Sequence, residues 1–296
     1  MEYTGKRRNY LEENRYRFHN ADYIEFLITK VWKISKPARI VDFGCGLGYL
    51  GLSLMTFMPE GSSYTGIDIS EILIEQAKDV FKNLRHDVKF IVADGYDAPF
   101  EDSHFDMAVC QAFLMHLPEP EKAIKEMIRT TASGGLVMAV EANWNAANPL
   151  LHIAEMDLAE TTDLGFLQKN YEHNRKSSGR DGNIGLKLPA IFHKMGLKNV
   201  GSRMSDLVKC ILPPIETEDQ ELLHKAVAQD IGRTIDEDTA NHMEKHFIKQ
   251  GFSQEEAEAQ IARERKLNHA FRDNGRAMHT VWATALNFSY GWVAGQ

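Results

Sequence analysis

Hydrophobic residues in the first half of the chain alternate between two spacings. Short apolar runs at 38–43, 63–68, 88–94, 105–111 and 136–142 have the β-branched and aromatic content of buried strands. Segments with apolar residues every three or four positions lie between them. In 21–32 the residues Tyr23, Ile24, Phe26, Leu27 and Val31 share one helical face. After Ser70, a capping residue, Ile72, Leu73, Ala77, Val80 and Phe81 repeat the pattern to about 84. From Pro118 to about 131 the inward positions are Ala123, Ile124, Met127 and Ile128, closed by Gly134 and Gly135. Strict alternation of strand and helix predicts an α/β fold with a doubly wound, mostly parallel sheet.

The alternation fades after residue 145. A helix is expected over 150–158 and a loop and helix over 169–182 covering the substrate side. Residues 198–212 contain a sixth strand. From 213 to 276 the pattern is helical, in three pieces at 219–231, 236–250 and 253–271. The last opens on the capping box Ser253…Glu256. Large apolar residues are sparse here, which predicts a surface helical insertion without a core of its own. Residues 278–288 are rich in β formers and are expected to close the sheet as its seventh strand.

Composition narrows the class. The 296 residues can bury a substantial core. No apolar run is long enough to cross a bilayer, and residues 1–17 lack the apolar stretch of a signal peptide. Cys45, Cys110 and Cys210 are too few and scattered for a disulfide framework, which suggests reduced thiols in the cytoplasm. The net charge of −8 disfavours a nucleic-acid partner.

The candidate chemistry centres on Asp42-Phe43-Gly44-Cys45-Gly46-Leu47-Gly48-Tyr49-Leu50-Gly51. A strand, a glycine-rich turn and a helix bring backbone N–H groups up to a ligand. Gly46 to Gly51 satisfies the dinucleotide pattern G-x-G-x-x-G, with Asp68 about twenty residues further on where a ribose-binding acid belongs. The register offers a different reading, D-x-G-x-G-x-G. A carboxylate at Asp42 repels a pyrophosphate and suits a cationic amino group. A tight turn in some other α/β protein is the third alternative.

Asp42 with its glycines resembles motif I of the class I S-adenosylmethionine-dependent methyltransferases. The stretch Phe113-Leu114-Met115-His116-Leu117-Pro118 resembles that family's leucine-histidine-histidine-leucine-proline segment, with Met115 in place of the first histidine. The resemblance covers roughly 37–212 and the last strand. It implies a seven-stranded methyltransferase-like sheet with a helical insertion between strands six and seven, where the family usually has a tight hairpin. It implies a cofactor site of Asp42, Gly44, Cys45, Gly46, Gly48, Asp68, Ile69, Asp94, Gly95 and Gln111 for S-adenosylmethionine and its product S-adenosylhomocysteine. Asp68 would accept the ribose hydroxyls and Asp94 the adenine amine; on sequence alone they also fit a helix cap and an Asp-Gly turn. Phe113, His116, Glu141, Asn143, Trp144 and Tyr171 are the candidate acceptor-binding residues, with His116 as the candidate base.

The expected organisation is an N-terminal helical arm or lid at 1–36, a core at 37–212 with 277–296, and an insertion at 213–276 serving as a lid or homodimer contact. Tyr10 or Tyr16 and an arginine of the arm are candidates to touch the cofactor carboxylate. The expected reaction is methyl transfer to a small-molecule acceptor by in-line displacement. An RNA or protein methyltransferase and a non-catalytic cofactor-binding module are the alternatives. No metal is expected. His242 and His246 are one helical turn apart, but the glutamate between them does not form H-E-x-x-H. No G-x-S-x-G is present, and Cys110 has no adjacent base.

Overall fold

The computed structural model describes residues 20–81 and 87–295. In chain order the elements are α1 (Ala21–Phe26, continued by a π turn over Leu27–Val31), β1 (Arg39–Phe43), α2 (Tyr49–Met55), β2 (Ser63–Asp68), α3 (Glu71–Phe81), β3 (Asp87–Val92), β4 (Phe105–Gln111), α4 (Pro120–Thr130) and β5 (Thr131–Ala142). There follow β6 (Leu151–Ile153), α5 (Leu164–Ser178), α6 (Leu188–Lys194), β7 (Lys198–Met204), β8 (Val208–Ile211), α7 (Glu218–Ile231), α8 (Glu237–Lys249), α9 (Gln254–Asn274), β9 (Thr280–Ala283) and β10 (Leu286–Trp292). They divide into two compact units.

The first unit comprises the chain up to Asn143, Arg180–Asp206, and the chain from Leu286 onward. Its sheet has seven strands in the order β3-β2-β1-β4-β5-β10-β7. The pairs among β1 to β5 are parallel, and β10 runs antiparallel between β5 and β7. Both faces are covered because the strands are apolar on both sides. Ile40, Tyr64, Val109, Val140 and Phe288 pack on one face with Ile24, Leu27, Ile28 and Leu54. Val41, Phe43, Ile67, Cys110 and Ala139 pack on the other with Ile124, Met127, Leu188 and Phe192. The register aligns Phe43 with Ile67 and Cys110, and Asp68 with Val92. The carboxyl ends of β1 to β4 therefore open on one edge, where ligands of doubly wound sheets bind.

The second unit comprises Trp144–Gly179 and Leu207–Ala285. It holds a three-stranded antiparallel sheet, β6-β9-β8, with α5, α7, α8 and α9. Each of these helices starts on a side-chain cap: Asp163, Thr217, Asp236 and Ser253 accept the N–H groups of Phe166, Gln220, Thr239 and Glu256. Thr217 and Ser253 form full capping boxes. Contrary to expectation, the unit has apolar clusters of its own. Phe166, Phe247, Phe252 and Ile261 build one; Ile153, Ile211, Val227, Leu267 and Phe271 build the other. These residues are too widely spaced in sequence to read as a core until folding gathers them.

Three further expectations are corrected. The β-forming run 278–288 is not one strand. Thr280–Ala283 pairs with β6 and β8 in the small sheet, and Leu286–Trp292 closes the large one. No glycine or proline marks the break between them. Leu151–Ile153, inside the expected helix 150–158, is a strand, because an open edge of β9 outweighs local preference. The unit boundaries also differ from those drawn at 212 and 277: residues 144–179, 207–212 and 277–285 belong to the second unit.

Candidate functional site

The glycine turn after β1 has three left-handed residues, Gly44 (φ 65°), Gly46 (φ 56°) and Gly48 (φ 78°). A side chain would be strained at each of them. Their surroundings differ. A Cβ at Gly48 would meet the Phe81 ring at 2.6 Å. A Cβ at Gly44 would lie 2.2 Å from Cδ2 of Phe113, and one at Gly95 would lie 2.6 Å from Cζ of the same ring. The room left by Gly44 and Gly95 is thus taken by this chain's own phenylalanine.

Two carboxylates brace the turn. Asp68 accepts the Gly46 N–H at Oδ2 (3.0 Å) and the Ser70 N–H at Oδ1 (2.9 Å). It ties the turn to the end of β2 and to the start of α3. The Cys45 N–H donates to the Ile67 carbonyl (2.9 Å), reinforcing the same junction. Asp42 is 1 % exposed and accepts the Tyr64 hydroxyl at Oδ2 (2.7 Å). Its Oδ1 is buried and has no hydrogen-bond partner among the described residues. Burial pushes the Asp42 carboxyl up to about 7, the Tyr64 hydrogen bond opposes this, and the Asp68 charge adds to it. Tyr64 is wholly buried against Phe81 and Phe90. In the sequence Tyr64 carries no functional signal beyond its place in β2, opposite Ile40 and on the same face.

At the neighbouring strand ends, Asp94 is exposed and accepts the Tyr96 N–H at Oδ1 (2.9 Å), the Asp-Gly turn anticipated as its structural role. Ile69 is 66 % exposed and Val92 is 49 % exposed, leaving apolar surface at the ends of β2 and β3. Gln111, at the end of β4, has a buried Oε1 without a partner among the described residues.

The segment after β4 is held from below. Ala112 adopts a positive φ of 48°, unusual for a residue with a side chain. Its N–H reaches Val140 (2.9 Å). Glu141, wholly buried at the end of β5, accepts the N–H groups of Phe113 (2.9 Å) and Leu114 (2.7 Å) at Oε1 and of Met115 (3.3 Å) at Oε2. Burial pushes the Glu141 carboxyl up to about 7 against these three donors. The Met115 carbonyl accepts the Asp181 N–H (3.2 Å), and Asp181 pairs with Lys187 (2.6 Å). Glu141, expected to contact the acceptor, instead organises the loop. Asp181 is a further anchor that carried no sequence signal. His116 is exposed at the end of a 3-10 turn, Leu114–His116, and Asn143 is 5 % exposed.

Trp144 and Tyr171, also expected to contact the acceptor, lie in the second unit. Their rings are 6.2 Å apart, and the Tyr171 hydroxyl accepts from Asn148 Nδ2 (3.2 Å). Tyr10, Tyr16 and the arginines of the N-terminal arm lie outside the described residues. Among the described residues no group of three or more His, Cys, Asp or Glu is placed to hold a metal. None of the described helices is long and apolar enough to cross a membrane.

The strand order, with one antiparallel strand next to the far edge, and the carboxylate-braced glycine turn define the class I methyltransferase fold. Residues 41–139 match the family model described as a methyltransferase domain, so the chain carries a methyltransferase domain over this stretch. The chain is 36% identical over 107 residues to a tocopherol O-methyltransferase of Arabidopsis thaliana, covering 36% of this chain and 30% of that protein. It is 30% identical over 128 residues to a demethylmenaquinone methyltransferase of Staphylococcus aureus, covering 40% of this chain and 53% of that protein. The matches thus span about half or less of the length of these relatives. A solved structure from Bacillus halodurans, described as a candidate methyltransferase, shares the fold with a TM-score of 0.52 at 12% identity, covering 93% of this chain and 99% of that one.

Proposed function

We propose that the protein transfers a methyl group from S-adenosylmethionine to a small-molecule acceptor. The observation that carries this reading is the buried, unpartnered Oδ1 of Asp42 beside the left-handed glycine turn. An orphaned buried acceptor is costly unless a donor completes it. A cofactor ammonium is such a donor, and a pyrophosphate is not. Gln111 offers a second unfilled acceptor at the end of the adjacent strand. The residues present therefore fit the cofactor. Bound S-adenosylmethionine would supply a methyl group on a positively charged sulfur, already activated for in-line displacement.

In this reading Asp42 and Gln111 hold the amino-acid end, Asp68 the ribose, and Asp94 with Ile69 the adenine. Asp68 spends both oxygens on backbone donors, so any ribose contact uses the further acceptor capacity of a carboxylate. Glu141 fixes the loop that presents His116, exposed and of a type able to move a proton at neutral pH. The protein mainly aligns the reactants and excludes water.

Two supports favour a small acceptor. The relatives are named for tocopherol and demethylmenaquinone, and the net charge of −8 disfavours a polyanion. Cys45, Cys110 and Cys210 are free thiols, which supports a cytoplasmic setting. Residues 213–276 are assigned to acceptor capture or to pairing of two copies. Calorimetric titration with S-adenosylhomocysteine and with NADH tests the cofactor assignment. Binding of the former and its loss in Asp42→Ala are expected; binding of NADH alone would overturn it. Labelled-cofactor turnover against a panel of phenolic and quinol acceptors tests the activity.

A further inference from the structure

One ring of the first unit lies against two separate turns. Gly44 follows β1 and Gly95 follows Asp94 beyond β3, and β2 lies between those strands in the sheet. A Cβ at Gly44 would meet Cδ2 and Cγ of Phe113 at 2.2 and 2.7 Å. A Cβ at Gly95 would meet Cζ at 2.6 Å, with Cε1 and Cε2 each at 3.4 Å. The near end of the ring therefore rests on one turn and its far end on the other. At Gly44 the left-handed backbone already calls for glycine. Gly95 has no positive φ, so what a side chain there has to contend with is the ring.

The ring is fixed at its root. The Phe113 N–H donates to Glu141 Oε1 (2.9 Å), the Phe113 carbonyl accepts the His116 N–H (3.0 Å), and the Ala112 N–H donates to the Val140 carbonyl (2.9 Å). Phe113 also packs on the apolar cluster that holds Phe43, Ile67 and Leu114. Each turn is tied separately to the end of β2. The Cys45 N–H donates to the Ile67 carbonyl (2.9 Å), and the Ala93 N–H donates to the Asp68 carbonyl (3.0 Å). The ring adds a direct link from turn to turn. With its backbone held, only two side-chain torsions remain to move it.

In the function proposed above, Asp42 beside the glycine turn takes the amino-acid end of the cofactor and Asp94 takes the adenine. We propose that Phe113 is a positioning residue for this cofactor: by lying against Gly44 and Gly95 at once, its ring sets the spacing of the two turns that hold the two ends. The inference rests on the cofactor reading. It moves Phe113 from the acceptor side, where the sequence suggests it, to the cofactor side. Phe113 acts through the turns and need touch neither end of the ligand. A ligand gripped at both ends gains from both only where the two grips are already correctly spaced. Loosened spacing therefore weakens binding of the whole molecule and spares binding of either part alone.

Phe113→Leu tests the link selectively. Leucine keeps the Cγ and Cδ positions that rest on Gly44 and lacks the Cε and Cζ atoms that rest on Gly95. The full chain, as wild type and variant, is titrated with S-adenosylhomocysteine by calorimetry and with adenosine at millimolar concentration by NMR. The variant should bind S-adenosylhomocysteine about tenfold more weakly and adenosine within about twofold of wild type. Phe113→Ala removes both contacts and should lose at least as much; melting temperatures show whether each variant is folded, and the leucine variant decides the matter if the alanine variant is not. Equal losses for both ligands would overturn the assignment, because the ring would then act on the adenine or on the fold at large. Unchanged or tighter binding of S-adenosylhomocysteine would overturn it as well, the latter showing that the ring stands in the cofactor's way. So would a wild type that binds S-adenosylhomocysteine but not adenosine, since each turn is assigned an end it holds unaided. A wild type that binds no S-adenosylhomocysteine overturns the cofactor reading itself, so the two failures are told apart.

Discussion

Glu141 Oε1 accepts the backbone N–H of Leu114 at 2.7 Å from inside the sheet, and the same oxygen takes the N–H of Phe113. A carboxylate at the end of β5 thereby shapes the loop that leaves β4. Phe113, whose ring lies against Gly44 and Gly95, takes its position from a wholly buried residue of the neighbouring strand.

Replacing Glu141 by alanine leaves three backbone donors without an acceptor. The loss is expected to be about 3 kcal/mol, and cofactor affinity should fall as the loop relaxes. Glu141→Gln keeps an acceptor for Phe113 and Leu114 and should cost clearly less. Urea denaturation of both variants, with S-adenosylhomocysteine titrations, separates the two. Equal losses would show that charge rather than hydrogen bonding holds the loop.

The proposed pairing of Asp42 with the cofactor ammonium predicts a pH dependence of binding. With its carboxyl at about 7, the free protein carries a neutral group there below that pH. Pairing with an ammonium requires the carboxylate, so binding should release a proton and strengthen as pH rises through 7, by up to about tenfold per unit on the acid side. Calorimetry in buffers of different ionisation enthalpy measures the proton. Asp42→Asn should bind more weakly with this dependence removed; an unchanged profile would exclude Asp42 as its source.

Stability of the ligand-free protein should run the other way. Asp42 and Glu141 both have native pKa values raised above the ordinary carboxylate range, to about 7. The native state therefore binds more protons than the unfolded state between about pH 4 and 7. These groups favour the fold fully below about 4, and their contribution declines as pH rises through 7. Asp42→Asn and Glu141→Gln should flatten the profile over that window, as read from chemical denaturation at several pH values.

Phe113 and Gly95 make a steric test. Gly95 lacks the positive φ of Gly44, so alanine meets no backbone strain there, only the Phe113 ring at 2.6 Å. Gly95→Ala should cost about 1–3 kcal/mol through overpacking. Phe113→Leu should relieve most of it in the double variant, giving a clear coupling energy in a mutant cycle. Additive losses would mean that the ring moves aside freely.

Much of the first unit was legible because its signals are local. The bounds of β2 and β4 agree with the apolar runs, and the carboxyl ends of the strands carry Asp42, Asp68 and Gln111. Glycines in sequence announced the turn because only glycine adopts left-handed φ freely. The second unit was hidden for the opposite reason. Its clusters join residues from Ile153 to Met278, and β6 is only three residues long. No window of sequence contains such a pattern.

The sequence by itself determined the alternating strands and helices, the glycine turn and the acids around it, since backbone conformation and burial periodicity are written residue by residue. Tertiary structure alone decided which way those side chains point. It turned Glu141 inward onto the Phe113–Met115 backbone, gave the space before Gly44 and Gly95 to Phe113, and split one β-forming run between two sheets. Each of these outcomes rests on partners distant in the chain, and the energy of a buried polar group or a packed ring is set by those partners rather than by its own neighbours in sequence.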